Sequence, residues 1–222
     1  MAKKLITEAD VAEAVKRGMT TIAVDSATIV TPSARDLALR HRIEFTNAVV
    51  STSAHVQSIT KLTPKDVHSP HASTVIAVGS DHGGYQMKEQ VKNFLLDLGY
   101  SVIDVGTQSE QACDYPDFAY AVASLVSSGQ AQKGIMVDAV GVASAMVANK
   151  VPGVRAAVGF SEFAARSSRE HNDANVLTLG GRVLGIEAAK AIVKVWLETW
   201  FGGGRHQARV QKITDIEQRF RK

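Results

Sequence analysis

The chain predicts an α/β fold: a Rossmann-like, five-stranded parallel sheet with helices on both faces, preceded by a small N-terminal extension. Two observations carry this. Five short apolar runs follow residue 74, "TVIAVG", "YSVIDVG", "GIMVD", "VRAAVG" and "NVLTLG", and strands without a polar face belong to sheets covered on both sides. Segments of helical periodicity alternate with them, the order that builds a parallel sheet.

In chain order, "LITEADVAEAVKR" (5–17) predicts a helix with Thr7 as N-cap and Val11, Ala14 and Val15 on one face. "TTIAV" (20–24) is strand-like, and "TPSARDLALRHR" (31–42) predicts a second capped helix. Residues 1–50 thus form a small extension. Residues 51–73, rich in Ser, Thr, His and Pro, predict a linker. Residues 74–222 form the main domain. There "YQMKEQVKNFLLDLG" places Met87, Val91, Phe94, Leu95 and Leu98 on one helical face, "PDFAYAVASLVSSG" is the next helix, and a long one covers 185–200.

Composition narrows the function. The 222 residues are 45% hydrophobic and 21% charged, with a net charge of +3, too small to argue for a nucleic-acid surface. A few local arginines still suffice for a phosphorylated small molecule. The single cysteine, Cys113, excludes an intramolecular disulfide and fits a reducing compartment. No apolar run approaches the roughly 20 residues that span a bilayer, so a cytoplasmic protein is expected. Walker and G-x-G-x-x-G motifs are missing, and His and Cys do not cluster at zinc spacing. Neither a nucleotide nor a metal is expected.

In parallel sheets ligands bind beyond the carboxyl ends of the strands. "GSDHGGY" (79–85) brings Asp81 and His82 there, with paired glycines that permit close backbone approach. An Asp at that place also serves as a helix cap. Tyr115, in "DYPDFA", reaches the same crevice or simply packs. "REHNDANVLTLGGR" (169–182) supplies His171 and Asn172 before a strand and Arg182 after it. Arg205 and Arg209, four apart in "GGGRHQARVQK", make a phosphate clamp or a solvated helix face. One acid, Asp138, ends the apolar run of "GIMVDAVGVASAMVANKVPG" (134–153): a base, a cap, or the relic of a site.

These motifs resemble ribose-5-phosphate isomerase B and the related galactose-6-phosphate isomerase subunits, in the right order from about residue 74 to 213. The resemblance implies aldose–ketose isomerisation of a sugar phosphate without metal or other cofactor, in homodimers or homotetramers with sites between subunits. Carried onto this chain, it implies that Asp81, His82 and Tyr115 contact the sugar. His82 would also lie near the phosphate, which Arg182, Arg205 and Arg209 would hold. His171 would assist ring opening and Asn172 would bind hydroxyls. Gly141 and Ser144 fall in the loop that meets the substrate.

The departure is in that loop. Where the family usually carries Cys, Gly, Thr, Gly and a further glycine, this chain has Asp138, Ala139, Val140, Gly141, Val142 and Ala143. The usual Cys base is replaced by Asp138, and the Glu of another branch by Ser144. The expectation is an isomerase in which Asp138, shielded by Val140 and Val142, takes the proton of an enediolate mechanism. The alternative is a degenerate sugar-phosphate-binding or scaffolding protein. Separately, "LITEADVAEAVKRG" and "ATIVTPSARDLALRHRIEF" resemble N-terminal segments of ethanolamine-utilisation enzymes of bacterial microcompartments. That resemblance implies docking to shell or cargo proteins of such a compartment; a helical oligomerisation arm is the alternative.

Overall fold

The computed structural model describes residues 3–25, 28–47, 57–64, 69 and 71–220. The chain forms two compact units, Met1–Lys61 and Leu62–Lys222.

The first unit contains β1 (Lys3–Ile6), α1 (Glu8–Lys16), β2 (Thr21–Val24), β3 (Thr28–Val30), α2 (Pro32–Arg40), β4 (Glu44–Asn47) and β5, which starts here and runs Gln57–Leu62. β1 pairs parallel with β3 and antiparallel with β5, while β2 pairs parallel with β4. Leu5 and Ile6 therefore belong to a strand, not to the first helix. The reason is local: the Asp10 carboxylate accepts 2.8 Å hydrogen bonds from both the amide and the hydroxyl of Thr7. That reciprocal cap starts the helix at residue 8. Thr31 caps α2 as expected, its hydroxyl accepting from the Ala34 amide at 3.3 Å. Ile6, Val11, Ile22, Val30, Ala34 and Ile43 lie in this unit's own core. Within the stretch read as a linker, residues 57–62 form β5; residues 51–56, 65–68 and 70 lie outside the described residues.

The second unit runs β6 (Val75–Ser80), α3 (Tyr85–Asp97), β7 (Ser101–Asp104), α4 (Tyr115–Ser127), β8 (Lys133–Asp138), α5 (Val142–Ala148), β9 (Ala156–Val158), α6 (Glu162–Asn172), β10 (Val176–Gly180), α7 (Ile186–Glu198) and α8 (Arg205–Phe220). Its five strands are all parallel, in the order β7-β6-β8-β10-β9. On one face α3 and α6 pack against α7, burying Val91, Leu95, Ile192, Val193 and Trp196 against the sheet. On the other, α4 lies on β6 and β8 beside α5 and buries Phe118, Val122 and Leu125. Each such side chain contributes about 1.5–3 kcal/mol. Gly79 and Gly134 let α4 come this close, since a Cβ on either would stand 2.6 Å from a methyl of Val122.

The strand order also places the crevice. The chain leaves β6 toward β7, then crosses back to β8 on the opposite side. The loops after β6 and β8 therefore diverge, and a cleft opens between their carboxyl ends.

Candidate active site

Asp81 and Asp138 stand side by side at that cleft, because the register pairs Ser80 with Val137 one residue earlier. Their surroundings differ. Asp138 is buried and accepts four hydrogen bonds from its own loop. Oδ1 takes the amides of Val140, at 2.7 Å, and Gly141. Oδ2 takes the Ser144 amide, at 3.1 Å, and the Ser144 hydroxyl. Gly141 makes the wrap possible with φ of +88°, and its absent Cβ leaves room for the Leu179 and Gly180 backbone.

This geometry bears on the expected role of the loop. The Asp138 oxygens are spent on closing the loop, with no acceptor direction left for a substrate proton. The loop amides of Val140, Gly141 and Ser144 already hold a carboxylate, and the Ser144 hydroxyl is likewise committed. Val140 and Val142 are 54% and 43% exposed, so the loop's backbone, not these valines, covers the acid.

Asp81 is equally buried, at 6% exposure, but is held by backbone alone: the Gly84 amide donates to Oδ1 at 3.1 Å and the Gly83 amide adds a weaker interaction. Burial pushes its carboxyl above the ordinary carboxylate value, opposed by Gly84 and His82 and reinforced by the charge of Asp138. Gly84 does not admit a ligand as expected. A Cβ there would meet the Val137 carbonyl at 2.2 Å, so the missing side chain seats the start of α3 on β8.

His82 is fixed by the loop before α4. Its Nδ1 lies 3.0 Å from the Cys113 carbonyl and 3.2 Å from the Cys113 amide, so the backbone offers an acceptor to a protonated Nδ1 and a donor to a bare one. That loop is anchored by a group the sequence analysis missed. Lys88, fully buried on α3, donates to both oxygens of Asp104 (3.1 and 2.9 Å) and to the Thr107 carbonyl (2.9 Å). Lys92 shares Asp104 at 2.8 Å and Glu89 at 2.7 Å. Burial alone would push Lys92 down; its bonds to Asp104 and Glu89 outweigh that and hold it above the ordinary lysine value. A lysine at a core-facing helical position beside a strand-ending Asp was the available signal. Burial pushes the Cys113 thiol up, so it is not an activated nucleophile.

A pocket of about 380 Å³ opens beside these groups, lined by His82, Gly83, Gln86, Met87, Glu110, Gly181 and Arg182. Arg182 is brought there by the loop after β10, whose Gly181 amide donates to the Asp138 carbonyl at 2.7 Å and whose Arg182 amide donates to the Ala139 carbonyl at 3.0 Å. Tyr115, half-buried at the first turn of α4, stands two residues beyond Cys113 on the same side.

The remaining predicted residues are elsewhere. His171 and Asn172 end α6, before β10 begins, and β10 spans about 13 Å from that end to the crevice. His171 stacks on His206 with ring centroids 4.3 Å apart, and the Gly202 amide donates to the Glu170 carbonyl at 2.9 Å. The start of α8, with exposed Arg205 and Arg209, is thereby pinned to the amino end of the sheet. The His206 ring is held below the usual histidine range, first by desolvation and then by the charges of His171, Arg205 and Arg209. One chain thus brings Asp81, His82, Tyr115, Asp138, Gly141, Ser144 and Arg182 to one end of its sheet. It keeps His171, Asn172, Arg205 and Arg209 at the other.

Residues 76–213 match the family model described as Ribose/Galactose Isomerase. The chain is 46% identical over 144 residues to ribose-5-phosphate isomerase B of Escherichia coli (strain K12), covering 65% of this chain and 97% of that one. It is 41% identical over 141 residues to the galactose-6-phosphate isomerase subunit LacA of Lactococcus lactis subsp. lactis, covering 64% and 98%. Among solved structures, ribose-5-phosphate isomerase B of Clostridium thermocellum is similar with a TM-score of 0.66 at 49% identity, covering 67% of this chain and 100% of that one. The fold and the strand-end site define a sugar-phosphate isomerase scaffold. The chain belongs to the ribose/galactose isomerase family.

Proposed function

We propose that the protein interconverts an aldose phosphate and the corresponding ketose phosphate, a five-carbon sugar such as ribose 5-phosphate first among the candidates, in sites shared by two copies. The carrying observation is the division of the polar residues between opposite ends of one sheet. The crevice end has the acids, His82 and Arg182; the other end has His171, Asn172 and the arginine pair. A second copy, turned so that its α8 meets the crevice of the first, completes the set, and twofold symmetry makes two such sites.

Exposed apolar side chains at both ends support this pairing. Val140, Val142, Met146, Phe160, Phe163 and Val183 stand on the loops after β8, β9 and β10 or on α5 and α6. A groove of about 900 Å³ runs between β9 and the Ile213, Ile216 and Phe220 face of α8, with Asn172 in its wall. Apolar surface on this scale marks an interface. In the shared site the phosphate is held by Arg182 with Arg205 and Arg209 of the second copy. His171 of that copy assists ring opening, and the proton transfer takes place at the crevice end of the first.

The test is aldose–ketose interconversion by the purified full chain, followed by NMR over a panel that includes ribose 5-phosphate and galactose 6-phosphate. Turnover of at least one is expected; none across the panel refutes the proposal. Sharing is tested with Arg182→Ala and Arg205→Ala, each inactive alone. Dissociated and reassociated together, they should recover about a quarter of wild-type activity, from the one intact site of each mixed pair. No recovery refutes a shared site.

For the first unit, we propose a docking role toward a protein-shelled compartment, supported by its having a core of its own. Deleting residues 1–61 should disperse the protein in cells without changing its turnover; unchanged localisation refutes this.

A further inference from the structure

Among the acids at the crevice, the one expected to act is the one least free to do so. Asp138 closes its own loop with four donors, three of them amides. A general base needs a lone pair directed at the carbon-bound proton, within reach of a bound substrate. Asp81 has the complementary character. It directly follows β6 at the switch point, is 6% exposed, and among the described residues receives no side-chain hydrogen bond, only the backbone of its own turn.

Gly83 decides what can reach it. This glycine lines the crevice pocket, and a Cβ there would stand 3.3 Å from Asp81 Oδ1. A side chain at this position would crowd both the Asp81 carboxylate and Ala139, each 3.3 Å from such a Cβ; Asp81 itself sits just behind the pocket wall, next in the chain to two of its lining residues, His82 and Gly83. His82, next in sequence, lines the same pocket with Arg182, so a sugar phosphate held by the arginine would meet residues that directly follow Asp81 in the chain.

Resting on the isomerase reading above, we propose that Asp81, not Asp138, is the base that moves the proton between the two substrate carbons. The carboxylate takes the hydrogen from C2 of the open-chain aldose phosphate. The C–H electron pair becomes the C1–C2 double bond, and the aldehyde oxygen takes up the negative charge as an enediolate. The Asp81 carboxyl then returns its proton to C1 while the O2 hydroxyl proton passes to O1 through water. C2 is oxidised as C1 is reduced, so no external electron carrier is needed. Asp138 acts as a positioning residue that holds residues 138–144 and supplies a neighbouring charge.

Burial and that charge keep Asp81 basic. The ionisable groups acting on it are His82 on its own turn and Asp138 at the end of β8, and Asp81 in turn acts on Cys113 before α4. Carboxylates so raised are better bases near neutral pH.

The test compares wild type, Asp81→Asn, Asp81→Glu and Asp138→Asn in deuterated water, with ribose 5-phosphate or whichever panel sugar wild type converts. Wild type should place solvent deuterium at C1 of the ketose. Asp81→Asn should lose kcat about a thousandfold while binding the sugar phosphate within about threefold of wild type by calorimetry, which also shows that it folds. Asp81→Glu should regain part of the rate. Asp138→Asn should keep more than about a tenth of kcat per folded molecule, with the acid limb of its pH profile moved down because a raising charge is gone. Asp81→Asn retaining more than a tenth of wild-type kcat overturns the proposal. So does a folded Asp138→Asn as inactive as Asp81→Asn, or one whose acid limb does not move. Wild type inert toward the whole panel is a different result, seen before any variant is compared, and it removes the isomerase reading together with this one.

Discussion

Replacing Asp138 with asparagine separates an acid that anchors a loop from one that does chemistry. Asparagine has the same shape but only one acceptor oxygen. If that oxygen keeps the Val140 and Gly141 amides, the side-chain NH2 faces Ser144. The Ser144 hydroxyl can rotate to accept from it; the Ser144 amide, buried and pointing at the same place, cannot. One stranded buried N–H costs about 2 kcal/mol, and turning the remaining charged hydrogen bonds into neutral ones about 1 kcal/mol more. The expected loss is therefore about 3 kcal/mol. Urea unfolding followed by tryptophan fluorescence measures it in the right place, since both tryptophans, Trp196 and Trp200, belong to the second unit. Ser144→Ala alone should cost about 1–2 kcal/mol. The double variant should lose less than the sum, because the two changes remove the same hydrogen bond. An Asp138→Asn loss below about 0.5 kcal/mol, or strict additivity with Ser144→Ala, would refute the anchoring argument.

Lys133→Met should stabilise the protein at neutral pH. Burial, then Arg169, lowers the Lys133 pKa from 10.5 to about 8, so below pH 8 the fold bears the cost of a charge that the unfolded chain carries in water. The shift corresponds to about 3 kcal/mol. Loss of the 3.1 Å bond to the Leu197 carbonyl and of the contact with the Trp196 ring cuts the net gain to about 1–2 kcal/mol. The unfolded state binds the extra proton between the two values, so wild-type stability from this group should rise from pH 8 to 10.5, and the advantage of the variant should vanish over the same range. Urea midpoints across pH check this; a variant less stable than wild type at pH 7 contradicts it. Cys113, its thiol pushed up by burial first, should react with iodoacetamide more slowly than a free thiol at pH 8, measured by mass spectrometry. A faster reaction would show an activated cysteine.

Much of the second unit was legible because its signals are local. Five apolar runs and the helical periodicity between them follow from each segment's need to bury a face, and every predicted strand and helix of that unit is present within a few residues. The first unit was harder. "LITEADVAEAVKR" carries helical periodicity from its first residue, and only the Asp10 carboxylate folding back onto Thr7 reveals that Leu5 and Ile6 end a strand. Lys88 was overlooked for a related reason. Its partners, Asp104 and Thr107, lie beyond the end of α3, and no periodicity links them.

The amino-acid sequence by itself determined the parallel α/β architecture, the family, and the identities of the residues at the strand ends, because these depend on short-range patterns. It also put an acid, Asp138, at the end of the apolar run that precedes the loop. Tertiary structure decided what each carboxylate is free to do. Hydrogen-bond saturation depends on where four donors point, and pairing across the sheet put Asp81 beside an acid already committed to its own loop. It decided, too, that His171, Asn172 and the Arg205–Arg209 pair lie at the far end of the sheet. A helix that ends before a strand and a loop that follows it are separated by that strand's length, which no spacing in the linear chain displays.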